Sequence, residues 1–211
     1  MNTQRLVAGI GISDPDYKTH IGKTVNGKYR KLWVCPVYMT WASMIVRCYC
    51  EKSLARRPSY RGCSVSSEWL AFSLFKLWMD SQAWEGLCLD KDILLPGNKV
   101  YGPDACVFVS SVLNKFLTDR SSLRGDWPIG VSWNAKDKKF KAACNNPFLG
   151  KNEFLGNFSS PELAHEAWQQ RKHQHACRYA EMQTDPRIAS ALRERFVIHS
   201  DQIEAGNPHD S

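Results

Sequence analysis

Between Lys18 and Arg61 the chain carries ten basic side chains (Lys18, Lys23, Lys28, Arg30, Lys31, Arg47, Lys52, Arg56, Arg57 and Arg61) against a single acid, Glu51. That local excess of nine exceeds the +7 of the whole 211-residue chain. Cations at this density neutralise phosphates, so the run predicts contact with a polyanion. Arg47 offers a planar fork that can hold two phosphate oxygens, and Arg56 and Arg57 lie in the same basic run. A second concentration of chemistry is LDKDILLPGNK at 89–99, which sets Asp90, Lys91 and Asp92 at the end of a short apolar run and Asn98 and Lys99 in the turn beyond. Taken alone, that string is also what an exposed acidic–basic turn looks like. A third lies between Arg120 and Arg178, where ten bases face five acids.

The thiols and imidazoles point to less. Cys48-Tyr49-Cys50 is the one close cysteine pair, there is no CxxC, and its spacing on a helical turn suits joint metal binding poorly. His173, His175 and Cys177 follow one another at about 200° per step on a helix, which predicts separate surface residues rather than a cluster.

The elements that must position these groups follow from length and pattern. A chain of 211 residues and 24.1 kDa suits one or two small domains, and 43% apolar with 23% charged residues predicts that most of it folds. A pI near 9.0 fits a polyanionic partner. No apolar run approaches the roughly 20 residues of a membrane span. The first residues, MNTQRLVAGIGIS, are too short an apolar run and too glycine-rich for a signal peptide, and eight dispersed cysteines then read as free thiols in a reducing, cytoplasmic setting. Asn26-Gly27 between alternating runs predicts a hairpin in a basic segment, 1–32. Thr40 is placed to cap a helix through about Cys50, and Ser66 or Ser67 to open a second, with an aromatic stripe from Trp69 to Trp78 that belongs to the core. Residues 87–94 and 107–109 read as strands, with Ser110 capping a helix that carries Asn114. Residues 120–126 read as a linker. Three strands near 129–133, 140–144 and 154–158 precede a helix that Ser160-Pro161 opens, and Asp185-Pro186 opens another. The tail from 201 reads as disordered.

GVSWNAKDKKFKAAC, FLGNF and SSPELAHEAW together resemble the AP2-type DNA-binding domain, through Gly130, Val131, Phe140, Ala142, Leu155, Gly156, Phe158, Glu162, Ala164, Ala167 and Trp168. The resemblance implies that the sheet of residues 127–183, not its helix, lies in the major groove. A twisted three-stranded sheet fits a groove about 12 Å wide and presents alternate side chains to bases and phosphates. Ser132, Asn134, Lys139, Lys141 and Lys151 are the candidates, with Trp133 flanking the backbone.

LDKDILLPGNKVYGPDACVFVSSVLN, with WASMIVRCYC and SYRGCSVSSEW upstream, resembles the HNH-related region of phage and bacterial homing-type endonucleases, where an AP2-type unit also follows. Across residues 33–183 the implied fold class is α+β: a helical, HNH-like ββα nuclease region at 33–119, then an AP2-like three-stranded antiparallel sheet packed on a helix; C-terminal helices complete the fold, with 184–211 read as a C-terminal helix and the disordered tail. The implied activity is metal-dependent hydrolysis of DNA phosphodiesters with Mg²⁺ or Mn²⁺. Asp90 takes the metal-binding position, Asn114 the helix position, and Asn98 orients the loop. The pattern departs at the base, where Lys91 stands and where no histidine occurs between His20 and His165. Flanking carboxylates favour the charged form of a lysine, which makes it a poor base. Three expectations follow: Asp92 serves as base or second metal ligand; Lys91 acts as a fixed charge on the phosphate; or the site is inactive, leaving a protein that binds double-stranded DNA. Binding to a host protein is the remaining alternative.

Overall fold

The computed structural model describes residues 5–118 and 126–198. The predicted linker, but for Asp126, and the predicted disordered tail lie outside the described residues. The architecture is mixed α+β, in two compact units within residues 1–114 and 115–211.

The first unit opens with two hairpins, β1 (Arg5–Val7) with β2 (Gly11–Ser13), and β3 (His20–Val25) with β4 (Lys28–Val34). The second turns at Asn26-Gly27, where φ is 51° and 72°. Two left-handed residues in a row match the twist of the flanking strands, which is why Asn-Gly is favoured there. Helix α1 (Pro36–Tyr49) starts four residues before the predicted cap. Pro36 has the fixed φ and missing N–H of a first helical residue. Thr40 lies inside the helix, and its hydroxyl donates back to the Pro36 carbonyl at 3.0 Å.

After α2 (Glu51–Arg56) and β5 (Ser64–Val65), the predicted second helix is split into a short 3-10 turn, Ser67–Trp69, and α3 (Phe72–Asp80). The cause is distant in sequence. The Ile12 N–H donates to the Leu70 carbonyl at 2.8 Å and Ala71 is extended. The Asp14 carboxylate then caps α3, accepting from the Ser73 N–H at 2.9 Å and its hydroxyl at 2.6 Å. Trp41, Met44, Trp69, Phe72 and Phe75 form the core expected of the aromatic stripe, and the Trp41 indole N–H donates to the Trp69 carbonyl at 2.8 Å. Strands β6 (Cys88–Asp90) and β8 (Val107–Val109) pair antiparallel and lead into α4 (Ser111–Leu117). Between them β7 (Val100–Tyr101) pairs in parallel with β5.

The second unit is a sheet in the order β9 (Val131–Asn134), β10 (Lys139–Asn146), β11 (Lys151–Phe158), all antiparallel. Helix α5 (Pro161–Glu181) lies on it and α6 (Pro186–Glu194) packs on α5. Both predicted openings hold: Ser160 Oγ accepts from the Leu163 N–H at 3.3 Å and Asp185 Oδ1 from the Arg187 N–H at 2.9 Å. Buried Ala164, Ala176 and Ala180 are small enough for close helix packing. Gly130 (φ +83°) meets Trp168 so closely that a Cβ would stand 2.1 Å from the indole.

Gly130→Ala therefore combines backbone strain with a clash, and we expect it to destabilise the second unit by about 2–5 kcal/mol. Gly97→Ala, also at positive φ but facing open space, should cost only about 1–2 kcal/mol. Urea midpoints of the two variants compare them directly; equal shifts would contradict the packing role of Gly130.

Candidate nucleic-acid interface and carboxylate loop

The strand–loop–strand–helix segment predicted at 87–119 forms a ββα hairpin and helix. Asp90 ends β6 opposite Val107, and α4, capped where Ser110 Oγ accepts from the Leu113 N–H at 3.2 Å, carries Asn114. Asp90 Oδ1 accepts the backbone N–H groups of Asp92 and Ile93, each at 2.8 Å, so this carboxylate builds the turn that starts the loop. Lys91 turns inward and is 6% exposed. Its ammonium donates to Asp92 Oδ1 at 2.7 Å and to the Asn98 carbonyl, and lies 5.9 Å from the Tyr101 ring centre. Asn98 answers in kind: its amide nitrogen donates to the carbonyls of Lys91 (2.9 Å) and Val100 (2.7 Å), and its oxygen accepts the Val100 N–H (3.0 Å). Lys91 and Asn98 thus lock the two ends of the loop to each other.

This lock bears on the roles considered for Lys91. Its Nζ contacts a carboxylate and a carbonyl and is shielded from solvent, so it is poorly placed to reach a water or a phosphate. That placement weighs against Lys91 as a fixed charge on the phosphate and favours a structural role. The surroundings are closed as well. Burial first, with the charges of Asp90 and Asp92 adding to it, pushes the Cys106 thiol up to about 12 against the opposing effects of a Gly102 hydrogen bond and Lys91. For a divalent metal, the donor set fits poorly: one oxygen of Asp90 is committed to two backbone N–H groups, and Asp92 is paired with the Lys91 ammonium. Among the described residues no group of three or more His, Cys, Asp or Glu side chains is placed to hold a metal ion.

The basic candidates of the first unit divide. Arg47 is held internally, its guanidinium 5.5 Å from the centres of both the Tyr60 and Tyr101 rings and its Nε donating to the Ser43 carbonyl at 3.2 Å. It is a packing cation, not an open phosphate clamp. Arg56, Arg57 and Lys99 are exposed, with Lys99 donating to the Ser59 carbonyl at 3.2 Å.

In the sheet, register sorts the remaining candidates. Opposed residues of an antiparallel pair share a face. Lys141 stands opposite Ser132 on one side and Asn157 on the other, and Lys139 stands opposite Asn134. Those side chains point away from Ala142 and Cys144, which are buried on the α5 side. Ala143 with Phe154, and Asn145 with Asn152, continue the outward row. Phe154 is 62% exposed, and the Lys141 ammonium sits 5.8 Å from its ring centre. At the hairpin tip Asp137 Oδ2 accepts from the amides of Asn134 (2.8 Å) and Asn157 (3.0 Å), which ties the turn bearing exposed Lys136 and Lys138 to the sheet. Two candidates fall elsewhere. Trp133 stands opposite Phe140, on the alternate face, and packs edge-on against it with ring centres 4.9 Å apart. Lys151 stands opposite buried Asn146, also on that face.

Sequence reasoning overlooked Asn145, Asn152, Asn157 and Phe154. The signal was parity with Lys139 and Lys141, hidden by a bulge: Ala142 pairs with Gly156 but Ala143 with Phe154, so Leu155 is the extra residue. Gly156 takes the φ of +140° there. It also missed a polar cluster on the other face, in which half-buried Glu153 meets buried Asn146 and His175. Glu153 accepts from the Asn146 amide at 2.7 Å and contacts His175 Nε2 at 3.3 Å and Arg171 at 3.8 Å. Of the residues predicted to lie apart on α5, His173 and Cys177 are four apart, on one face, and meet at 3.5 Å, while His175 is buried.

Comparison with known proteins finds no match to this chain among family models, curated proteins or solved structures.

Two predictions follow from these contacts. Asn98→Ala removes three hydrogen bonds that close the carboxylate loop and should cost about 2–4 kcal/mol in urea unfolding; a loss below that of a surface substitution would contradict the lock. In the second unit, hydrogen bonding from Asn146, then Arg171 and His175, holds Glu153 below the usual carboxylate range, and burial holds His175 below its ordinary 6.5. Both depressed groups contribute stability at neutral pH that is lost as pH falls, first through the histidine range and then the carboxylate range. His175→Phe should flatten the upper part of that loss in a urea–pH series; an unchanged slope between pH 7 and 5 would contradict it.

Proposed function

We propose that this chain binds double-stranded DNA through the outward face of the β9–β11 sheet, in an AP2-like manner. One observation carries the reading: α5 seals one face of the sheet, while Ser132, Asn134, Lys139, Lys141, Asn145, Asn152 and Phe154 line the other. Two lysines on the strands and two in the tip supply cations for the phosphates. Asn amides and the Ser hydroxyl can donate to and accept from base edges, and Phe154 offers an apolar contact of the kind thymine methyl groups receive. The +7 chain adds long-range attraction.

A second reading is metal-dependent hydrolysis of the DNA backbone by an HNH-like site in the first unit. It is favoured by the ββα order of β6, β8 and α4, with Asp90 at the strand end and Asn114 on the helix. The buried, paired Lys91 weighs against it, and the binding reading stands without it.

Fluorescence anisotropy with a 30-base-pair duplex tests the first reading. Binding should weaken linearly with log salt, and Lys139→Gln with Lys141→Gln should reduce the slope by about 2. Absence of duplex binding at low salt would sink it and leave a protein partner as the explanation of the surface. Plasmid incubated with Mg²⁺ or Mn²⁺ tests the second. We expect no nicking; nicking that disappears in Asp90→Ala and Asp92→Ala would establish the hydrolytic reading instead.

A further inference from the structure

The β3–β4 hairpin has no part in either site, yet it carries four of the cations of the basic run, Lys23, Lys28, Arg30 and Lys31. From Tyr17 to Cys50 the chain holds no acid at all. Every residue of β4 from Lys28 to Trp33 is exposed, so the ribbon presents both of its faces to solvent. Register puts Lys23 directly opposite Arg30, and Val25 opposite Lys28. Like charges facing each other across an antiparallel pair are destabilising, and an isolated two-stranded ribbon is marginal in water. The Ile21–Trp33 pair and the His20–Tyr29 edge contact hold the ribbon together, and a polyanion would relieve the repulsion that remains. The face with Lys23, Val25, Lys28 and Arg30, continued past the register shift by the Ile21–Trp33 pair, therefore asks for phosphate alongside apolar contact, and Lys31 adds a cation on the opposite face.

We propose that the His20–Val34 ribbon is a second DNA-binding element, an arm that enters a groove of duplex DNA with its cations on the flanking phosphates. The inference rests on the DNA-binding reading above and extends it to the first unit. Its dimensions fit. Two strands about 4.8 Å apart and about 20 Å long make a ribbon of the size the major groove admits. Duplex is favoured over single strands because the ribbon matches the groove as a unit; Tyr29 and Trp33 are exposed, so stacking on an unpaired strand is the outcome the test must exclude. Tyr29 lies over Gly22, where a Cβ would be 2.6 Å from its ring, and meets His20 edge-on with centres 6.0 Å apart.

The test compares three full-length proteins on the same 30-base-pair duplex across 50–400 mM salt: wild type, a ribbon variant (Lys23→Gln, Lys28→Gln, Arg30→Gln) and the sheet variant (Lys139→Gln, Lys141→Gln). Removing three phosphate contacts should flatten the log–log salt dependence by about 2.7 and weaken binding at least tenfold at 150 mM. Thermal unfolding should be unchanged or slightly raised, since the Lys23–Arg30 repulsion is gone. A ribbon variant with wild-type slope, beside a sheet variant whose slope falls, overturns the arm and leaves the sheet reading intact. Wild type that shows no salt-dependent duplex binding overturns both. A ribbon variant that loses single-strand binding but keeps duplex binding overturns the arm as a groove element.

Discussion

The register of β10 governs what the second unit can present. Even-numbered Ala142 and Cys144 are buried under α5, and the strand's strict alternation then turns Lys139 and Lys141 outward. A slip by one residue would turn both lysines onto the face that α5 covers, where Ala142 and Cys144 are buried. The bulge at Leu155 lets β11 keep faith with that choice, turning Phe154 and Asn157 to the same side as the lysines. Gly130 beneath Trp168 and the Asn146–Glu153–His175 contacts fix the sealed face. A rigid, one-sided sheet results, and its open side is basic, amide-rich and partly apolar.

In the first unit a single buried ammonium has the corresponding role. Lys91 and Asn98 each donate to the other's main-chain carbonyl, so the loop between β6 and β7 is closed by two opposed hydrogen bonds. The same contacts turn the Lys91 side chain inward, away from solvent. A residue that looks poised between two carboxylates in the sequence is, in the fold, the post that holds them in place. Asp90 likewise spends Oδ1 on backbone N–H groups. The bonding within this ββα segment is that of a closed loop held between two strands.

Much of this was legible in the residues. Asn26-Gly27, Ser160-Pro161 and Asp185-Pro186 mark structure through local backbone preferences, and each appears where the pattern places it. What escaped was set by distant partners. Nothing local in residues 66–80 announces that Ile12 and Asp14 will interrupt and re-cap the helix. The inward turn of Lys91 depends on Asn98 and Tyr101, and the capture of Arg47 between Tyr60 and Tyr101 on a loop and strand far along the chain. The outward set of Asn145, Asn152 and Phe154 was hidden by one bulged residue, because alternation carries no warning of where it breaks.

Lysine-reactivity footprinting, read residue by residue with and without duplex DNA, tests the central claim most directly. Lys139 and Lys141 should be strongly protected by the duplex while Lys76, held by Asp80 on α3, keeps its reactivity. Unchanged reactivity at Lys139 and Lys141 under conditions where the duplex is bound would contradict it.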